Sequence, residues 1–298
     1  MAKNKNKLRQ QLEAYLSIEK IKLVPNSFDV VGHIAILEFP DELKKEKKII
    51  AKVLLDVHSN IKTVLEKCSE RKGTYRNREY KFLAGLRKFE TLHKEYGCVF
   101  KLNPTKVYFS PRELTERQRV AEQVKPRERV LVMFSGVGPY GIIIAKRQPA
   151  TEVVCVEINK AAVAYAKENV RLNKLNNVKN YCGDARKICP RLGKFDRIIM
   201  PLPLGAENFL DVAFACSQKN TVVHFYNWGE EVDNTLFANG LAALRAAAKQ
   251  AKKKIKILKK KRVLPYAPRK SKVCIDFVVS GKAGVAKFGQ RRRTRKKK

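Results

Sequence analysis

Apolar residues in this chain come in short runs broken by charge, glycine or proline, and the spacing within each run predicts its element. Alternation over Val30 to Phe39 predicts a strand, and Pro40-Asp41 opens a helix through Val57 with Ile49, Ile50, Val53 and Leu54 on one face. A short helix is expected around Leu8 to Ile18 inside a basic opening segment. Residues Ile61 to Val107 carry several strand-like runs, including Thr74 to Leu83 and Cys98 to Leu102. Proline is favoured at the first helical position, so Ser110-Pro111 starts a helix that continues over Glu113 to Val124.

From Val130 onward strands and helices alternate, which predicts an α/β unit with a mostly parallel sheet, preceded by a smaller α+β module. Val130 to Phe134, Val153 to Val156 and Phe195 to Pro203 read as strands, as do Thr221 to Asn227, Lys256 to Arg262 and Val273 to Val279. Ala206 to Ser217 and Asp233 to Lys254 read as helices. The expected division is a basic extension over 1–25, an α+β domain over 26–108, the α/β domain over 109–282 and a basic tail over 283–298. With no apolar surface to bury, that tail is expected to be disordered.

One stretch carries most of the chemistry. The run Val130 to Phe134 opens into Ser-Gly-Val-Gly-Pro-Tyr-Gly at 135–141, and the next strand ends on Glu157. A strand, a glycine turn, a helix and a second strand closing on a carboxylate make a pocket for a nucleotide cofactor: glycines let the backbone approach the ligand, and the acid takes two ribose hydroxyls. Gly136, Gly138 and Gly141 also satisfy the dinucleotide pattern, so this stretch alone does not separate a nicotinamide cofactor from S-adenosylmethionine. The following strands do. Asp184 lies just beyond a third strand, where an acid suits an adenine amino group, and Pro201-Leu202-Pro203 frames a turn after the fourth, where a class I methyltransferase presents its acceptor.

Charge sets the partner. Lys+Arg 64 against Asp+Glu 28 gives a net +36, a surplus that would repel itself without a polyanionic ligand, and nucleic acid is the first candidate. No apolar stretch approaches the roughly 18 residues of a membrane span, and Met-Ala-Lys-Asn-Lys-Asn-Lys is too polar for a secretory leader. Seven cysteines without a C-x-x-C pair point to a reducing cytoplasm without structural zinc. His33, His58, His93 and His224 form no metal-ligand spacing, so no metal is expected.

Several segments resemble the archaeal and eukaryotic tRNA (guanine-37 N1)-methyltransferases. They are Ser27 to Gly32, Gly73-Thr74-Tyr75-Arg76, Lys106 to Arg112 with Thr115-Glu116-Arg117, Phe134 to Pro139, Glu157-Ile158-Asn159, Val223 to Tyr226 and Tyr266 to Arg269. The likeness runs from about Asn26 to Ser280. It implies a class I (Rossmann-like) methyltransferase domain, S-adenosylmethionine as cofactor, tRNA as partner and a cytoplasmic monomer. It also implies that Glu116 is the general base and Arg76 the charge-stabilising arginine. Arg117, Phe134, Ser135, Gly136, Val137, Gly138, Glu157, Ile158, Asp184, Ala185 and Pro201 are the residues implied at the cofactor.

The reaction wants such groups independently: guanine N1 must lose a proton as the methyl arrives, and charge then grows on O6. The chain departs from the pattern three times: Val132 stands where many members have Asp, Pro201-Leu202-Pro203 where many have Asn-Leu-Pro, and the basic N-terminal segment is too short for the separate tRNA-elbow domain that some members carry. Other readings compatible with the sequence are an aminocarboxypropyltransferase of the wyosine pathway, which shares cofactor and architecture, and a catalytically silent RNA-binding relative. A nicotinamide oxidoreductase would leave the charge and the Ser110 to Arg117 segment unexplained.

Overall fold

The computed structural model describes residues 2–69, 78–149, 151–231 and 235–282. Helices α1 (Ala2–Leu12) and α2 (Ile18–Leu23) precede strands β1 (Asp29–Val31) and β2 (Ile34–Leu37). Helix α3 (Lys47–Val57) crosses to β3 (Thr63–Lys67), parallel to β2, and β4 (Tyr80–Gly85) completes a sheet of order β1-β2-β3-β4. Strand alternation divides the packing. Ala35, Leu37 and Val64 meet Leu8, Leu12, Ile21, Ile50 and Leu54 of the three helices, whereas Ile34, Ile36 and Leu65 join a core shared with the rest of the molecule.

Two expectations change here. Val30 to Phe39 is an antiparallel hairpin, because the chain reverses at Gly32 with φ +56°; a Cβ there would stand 2.5 Å from the Leu92 carbonyl oxygen. The opening segment is no extension, since Leu8, Leu12, Ile21 and Val24 are buried in the first core.

A separate hairpin of β5 (Thr91–Glu95) and β6 (Cys98–Leu102) follows. A single 3-10 turn at Pro111–Glu113 then leads into α4 (Leu114–Glu122). The α/β unit runs β7 (Arg129–Met133), α5 (Pro139–Arg147), β8 (Glu152–Glu157), α6 (Lys160–Leu172), β9 (Val178–Cys182), α7 (Ala185–Ile188) and β10 (Phe195–Met200). It continues with α8 (Leu210–Cys216), β11 (Ser217–Glu230), α9 (Ala238–Gln250), β12 (Lys253–Ala267) and β13 (Lys270–Lys282). The sheet order is β12-β13-β11-β10-β7-β8-β9, parallel except that β13 is antiparallel to both neighbours.

Period-2 alternation again assigns the faces. Val130, Val132, Val153 and Cys155 pack with α4, α5 and α6, whereas Leu131, Met133, Val154 and Val156 pack with α7, α8 and α9. This doubly covered sheet is the class I methyltransferase architecture expected. Strand order reverses between β7 and β10, which opens a crevice at their carboxyl ends. The last hairpin is longer than its apolar runs predict, and the outer strand β12 exposes Lys254, Lys256, Lys259 and Lys260. Among the described residues no helix is long and apolar enough to cross a membrane.

Two asparagines one helical turn apart, Asn169 of α6 and Asn173 at its C-cap, fasten the β5–β6 hairpin to this unit. Asn173 accepts from Val99 N–H at 2.8 Å and donates to its carbonyl at 2.7 Å. Asn169 does the same for Lys101, at 2.6 and 3.1 Å, and also donates to the Val137 carbonyl in the glycine turn at 3.1 Å. Side-chain amides thus satisfy the free edge of β6 as another strand would. Asn169→Ala should destabilise the protein by about 1–3 kcal/mol, the cost of leaving inward-facing backbone groups unpaired. Denaturant unfolding measures it, and hydrogen exchange at the Lys101 amide should accelerate.

Candidate active site

The cleft is built at the crevice by four segments. Tyr108, Phe109, Ser110, Glu113 and Arg117 form one wall; Phe134, Ser135, Gly136, Pro139 and Tyr140 come from the glycine turn and α5; Glu157 ends β8 and Ile158 and Asn159 follow it; Pro201, Leu202 and Pro203 follow β10. Gly136 and Gly138 hold φ of +57° and +88°, which the tight turn requires. A Cβ on Gly136 would meet only the Tyr108 carbonyl, at 3.8 Å, so this backbone lies open to the cleft. Phe134 sits at φ 54°, a conformation costing a bulky residue about 1–3 kcal/mol. Its ring meets Phe209 edge-on at 4.9 Å.

Glu157 ends β8 with its carboxylate pinned by two backbone donors, Gly136 N–H at 2.8 Å and Asn159 N–H at 2.8 Å. Of roughly four acceptor sites on a carboxylate, two remain for a diol. Asn159 then caps α6 by accepting from Ala161 and Ala162 N–H. Gly183 N–H donates to the Glu157 carbonyl, which sets Asp184 and Ala185 beside this end of the cleft, with Asp184 capping α7. An open glycine turn and a fixed acid with two free acceptor sites fit a nucleoside diol such as the ribose of S-adenosylmethionine.

Arg117 is 2% exposed and lines the cleft wall. It donates twice to Glu95 of β5, at 2.7 and 2.6 Å, and once to the Ser110 carbonyl at 3.0 Å, over the Phe109 ring. Glu113, one turn earlier, accepts from Tyr108 Oη at 2.8 Å and Lys272 Nζ at 2.9 Å, and Lys272 also donates to the Pro201 carbonyl at 3.1 Å. Burial works against the charge on Glu113, yet Lys272 and Arg117 hold its carboxyl below the usual range.

Glu116 does not line the cleft. It is 2% exposed and accepts from Arg119 Nε at 2.8 Å, from an Arg119 terminal nitrogen at 2.6 Å and from Tyr226 Oη at 2.7 Å. Tyr140, which does line the cleft, donates to Tyr226 Oη at 3.2 Å, so two tyrosine hydroxyls link the cleft to Glu116. Arg119 continues to Asp276, Asp276 to His224, His224 to Arg197 and Arg197 to Glu128. His224, Cys274 and Asp276 converge closely enough to ligate a metal, but they bond to one another between two guanidinium groups, which disfavours a cation.

Of the residues expected at the cofactor, Arg117, Phe134, Ser135, Gly136, Glu157, Ile158 and Pro201 line the cleft. Val137 is buried, Gly138 caps α5, and Asp184 and Ala185 are not among the lining residues. Arg76 lies outside the described residues. Tyr140, Glu113 and Lys272 escaped sequence reasoning; Tyr140 stands in the glycine stretch and Glu113 in the Ser110 to Arg117 segment, whereas no flagged segment contains Lys272.

The methyltransferase region of the TRM5/TYW2 family matches residues 91–258, and the TYW2 N-terminal domain matches 8–88. The tRNA (guanine(37)-N(1))-methyltransferase Trm5b of Pyrococcus abyssi is 43% identical over 259 residues, spanning 87% of this chain and 76% of that protein. The tRNA(Phe) (4-demethylwyosine(37)-C(7)) aminocarboxypropyltransferase of Methanocaldococcus jannaschii is 32% identical over 215 residues, covering 72% of this chain and 85% of that one. The solved complex of aTrm5 with tRNALeu superposes with a TM-score of 0.78 at 32% identity, over 93% of this chain and 79% of that one.

Two outcomes follow from this geometry. Glu157→Ala should weaken S-adenosylmethionine binding by about 1–3 kcal/mol, measured by calorimetry, because a charged acceptor is lost. Burial pushes the pKa of His224 down, against the pull of Asp276. A histidine whose folded pKa is depressed contributes stability above its unfolded pKa and loses it as pH falls, so the melting temperature should decline below about pH 6.5. His224→Gln should flatten that decline below about pH 6.5, as thermal melts across pH would show.

Proposed function

The chain belongs to the TRM5/TYW2 methyltransferase family, and on that premise we propose that it transfers a methyl group from S-adenosylmethionine to N1 of guanosine 37 in tRNA. The observation that carries the reading is the match to Trm5b over 87% of this chain. We further read it as a cytoplasmic monomer, with the α+β module and the α/β unit as its two domains.

S-adenosylmethionine supplies an electrophilic methyl on a sulfonium. The glycine turn, Ile158 and Glu157 would hold its ribose, Arg117 and Pro201 would line the same cleft, and Asp184 with Ala185 is assigned to its adenine on the family resemblance. The N1 proton leaves toward Glu116 through Tyr140 and Tyr226, whose hydroxyls are already aligned with that carboxylate. Arg76 is assigned, on the family resemblance, to the charge that develops on O6. Lys272 on the Pro201 carbonyl fixes the turn that in many members begins with asparagine.

A second reading rests on the match of residues 8–88 to the TYW2 N-terminal domain and on the aminocarboxypropyltransferase relative. In that reading the same cofactor donates its aminocarboxypropyl group. Incubation with cofactor and unmodified tRNA transcript, followed by nucleoside mass spectrometry, separates the two: the primary reading requires a singly methylated guanosine.

Glu116→Gln should slow single-turnover methyl transfer by about 100-fold or more while cofactor affinity stays near that of the parent, since removing a general base costs about 10²–10⁴. A rate within about threefold of the parent would remove Glu116 from the proton's path.

A further inference from the structure

A second groove adjoins the cleft. Tyr108, Ser110, Glu113 and Pro203 line both, so the two spaces share a wall. The far side of the groove is aromatic and basic: Trp228 of β11, Tyr266 of β12, Arg112 and Arg78. Trp228 and Tyr266 lie with ring centroids 4.5 Å apart and planes inclined by 46°, and Tyr266 is 48% exposed. The half-exposed pair presents an aromatic face on which a flat ligand can stack. Arg78 Nε is buried without a hydrogen-bond partner among the described residues, a donor that lacks its acceptor. Arg112 reaches Asp29 at 2.5 Å and is about half exposed, leaving guanidinium donors for an anion. The floor is Lys272, cross-strand from Trp228 and closed by Glu113.

We propose that this groove is a stacking site for a nucleotide that neighbours the acceptor in RNA: its base lies on the Trp228–Tyr266 pair, and Arg78 and Arg112 bind its phosphate. The inference rests on methyl transfer to tRNA and deepens it. The shared wall presents the acceptor base to the cleft, so the next nucleotide along the strand falls in the groove. Aromatic stacking with basic side chains along the backbone binds single-stranded nucleic acid without reading its sequence. Lys259 and Lys260, exposed on the same strand as Tyr266, extend the positive surface away from the groove.

The chain has one tryptophan, so Trp228 reports on this groove by itself. Its fluorescence is titrated, in the full-length protein with S-adenosylmethionine present, with four anticodon stem-loops: intact, abasic at the acceptor, and abasic at either neighbour. Filter binding follows association, and mass spectrometry confirms methylation of the intact loop. The expected result is quenching that survives loss of the acceptor base but disappears when one neighbouring base is removed. Tyr266→Ala should weaken binding of the intact loop by about 5- to 150-fold, the range for one stacked base, and leave the abasic loop of that neighbour nearly unaffected. Association without quenching, quenching indifferent to both neighbours, or quenching lost only with the acceptor base would each overturn the proposal. Absence of a methylated product from the intact loop would instead remove the function on which it rests, while the fluorescence still shows whether the groove stacks a base.

Discussion

The buried pair of Arg117 and Glu95 is the constraint on which the cleft depends. Arg117 belongs to the helix behind the cleft, Glu95 to the β5–β6 hairpin, and the Ser110 carbonyl it also holds belongs to the wall between them. One guanidinium therefore fixes three segments that no ladder of strands connects. Both side chains are 2% exposed, so removing either partner strands a charge in the interior, at a cost of about 3–5 kcal/mol. Replacing both with apolar groups would spare stability and forfeit the geometry.

Much of the architecture was legible because its signals are local. The apolar run before the glycine turn, the acid closing the next strand and the proline-framed turn after β10 each declare themselves within ten residues, and the fold placed them at one crevice. The hairpin at Gly32 was missed because apolar residues continue through the turn, so that alternation does not mark the reversal. The opening segment reads as a basic extension because Leu8, Leu12, Ile21 and Val24 are spaced among lysines and show their burial only against α3.

The site was less legible than the fold, for a physical reason. Lys272 lies 159 residues from Glu113, and nothing local distinguishes it from the other lysines of the last hairpin. Glu116 was legible by motif, and its partner Arg119 lies one turn along the same helix, yet Tyr226 and Tyr140 come from separate elements and reach it only when α4 packs on the sheet. Sequence identified the residue types the chemistry needs, whereas the route between them is a property of packing.

The lysine-bearing outer strand β12 also governs how copies of the chain treat one another. An uncovered strand edge invites pairing with the edge of another molecule, and a row of like charges prevents it. That protection is electrostatic and weakens with salt: at about 1 M the screening length shrinks to roughly 3 Å, less than the spacing of neighbouring strands. Concentrated salt, the usual means of stripping nucleic acid from a basic protein, thus silences the charges that keep this edge apart from its twin. Colloidal stability and release from a polyanion pull in opposite directions along one strand.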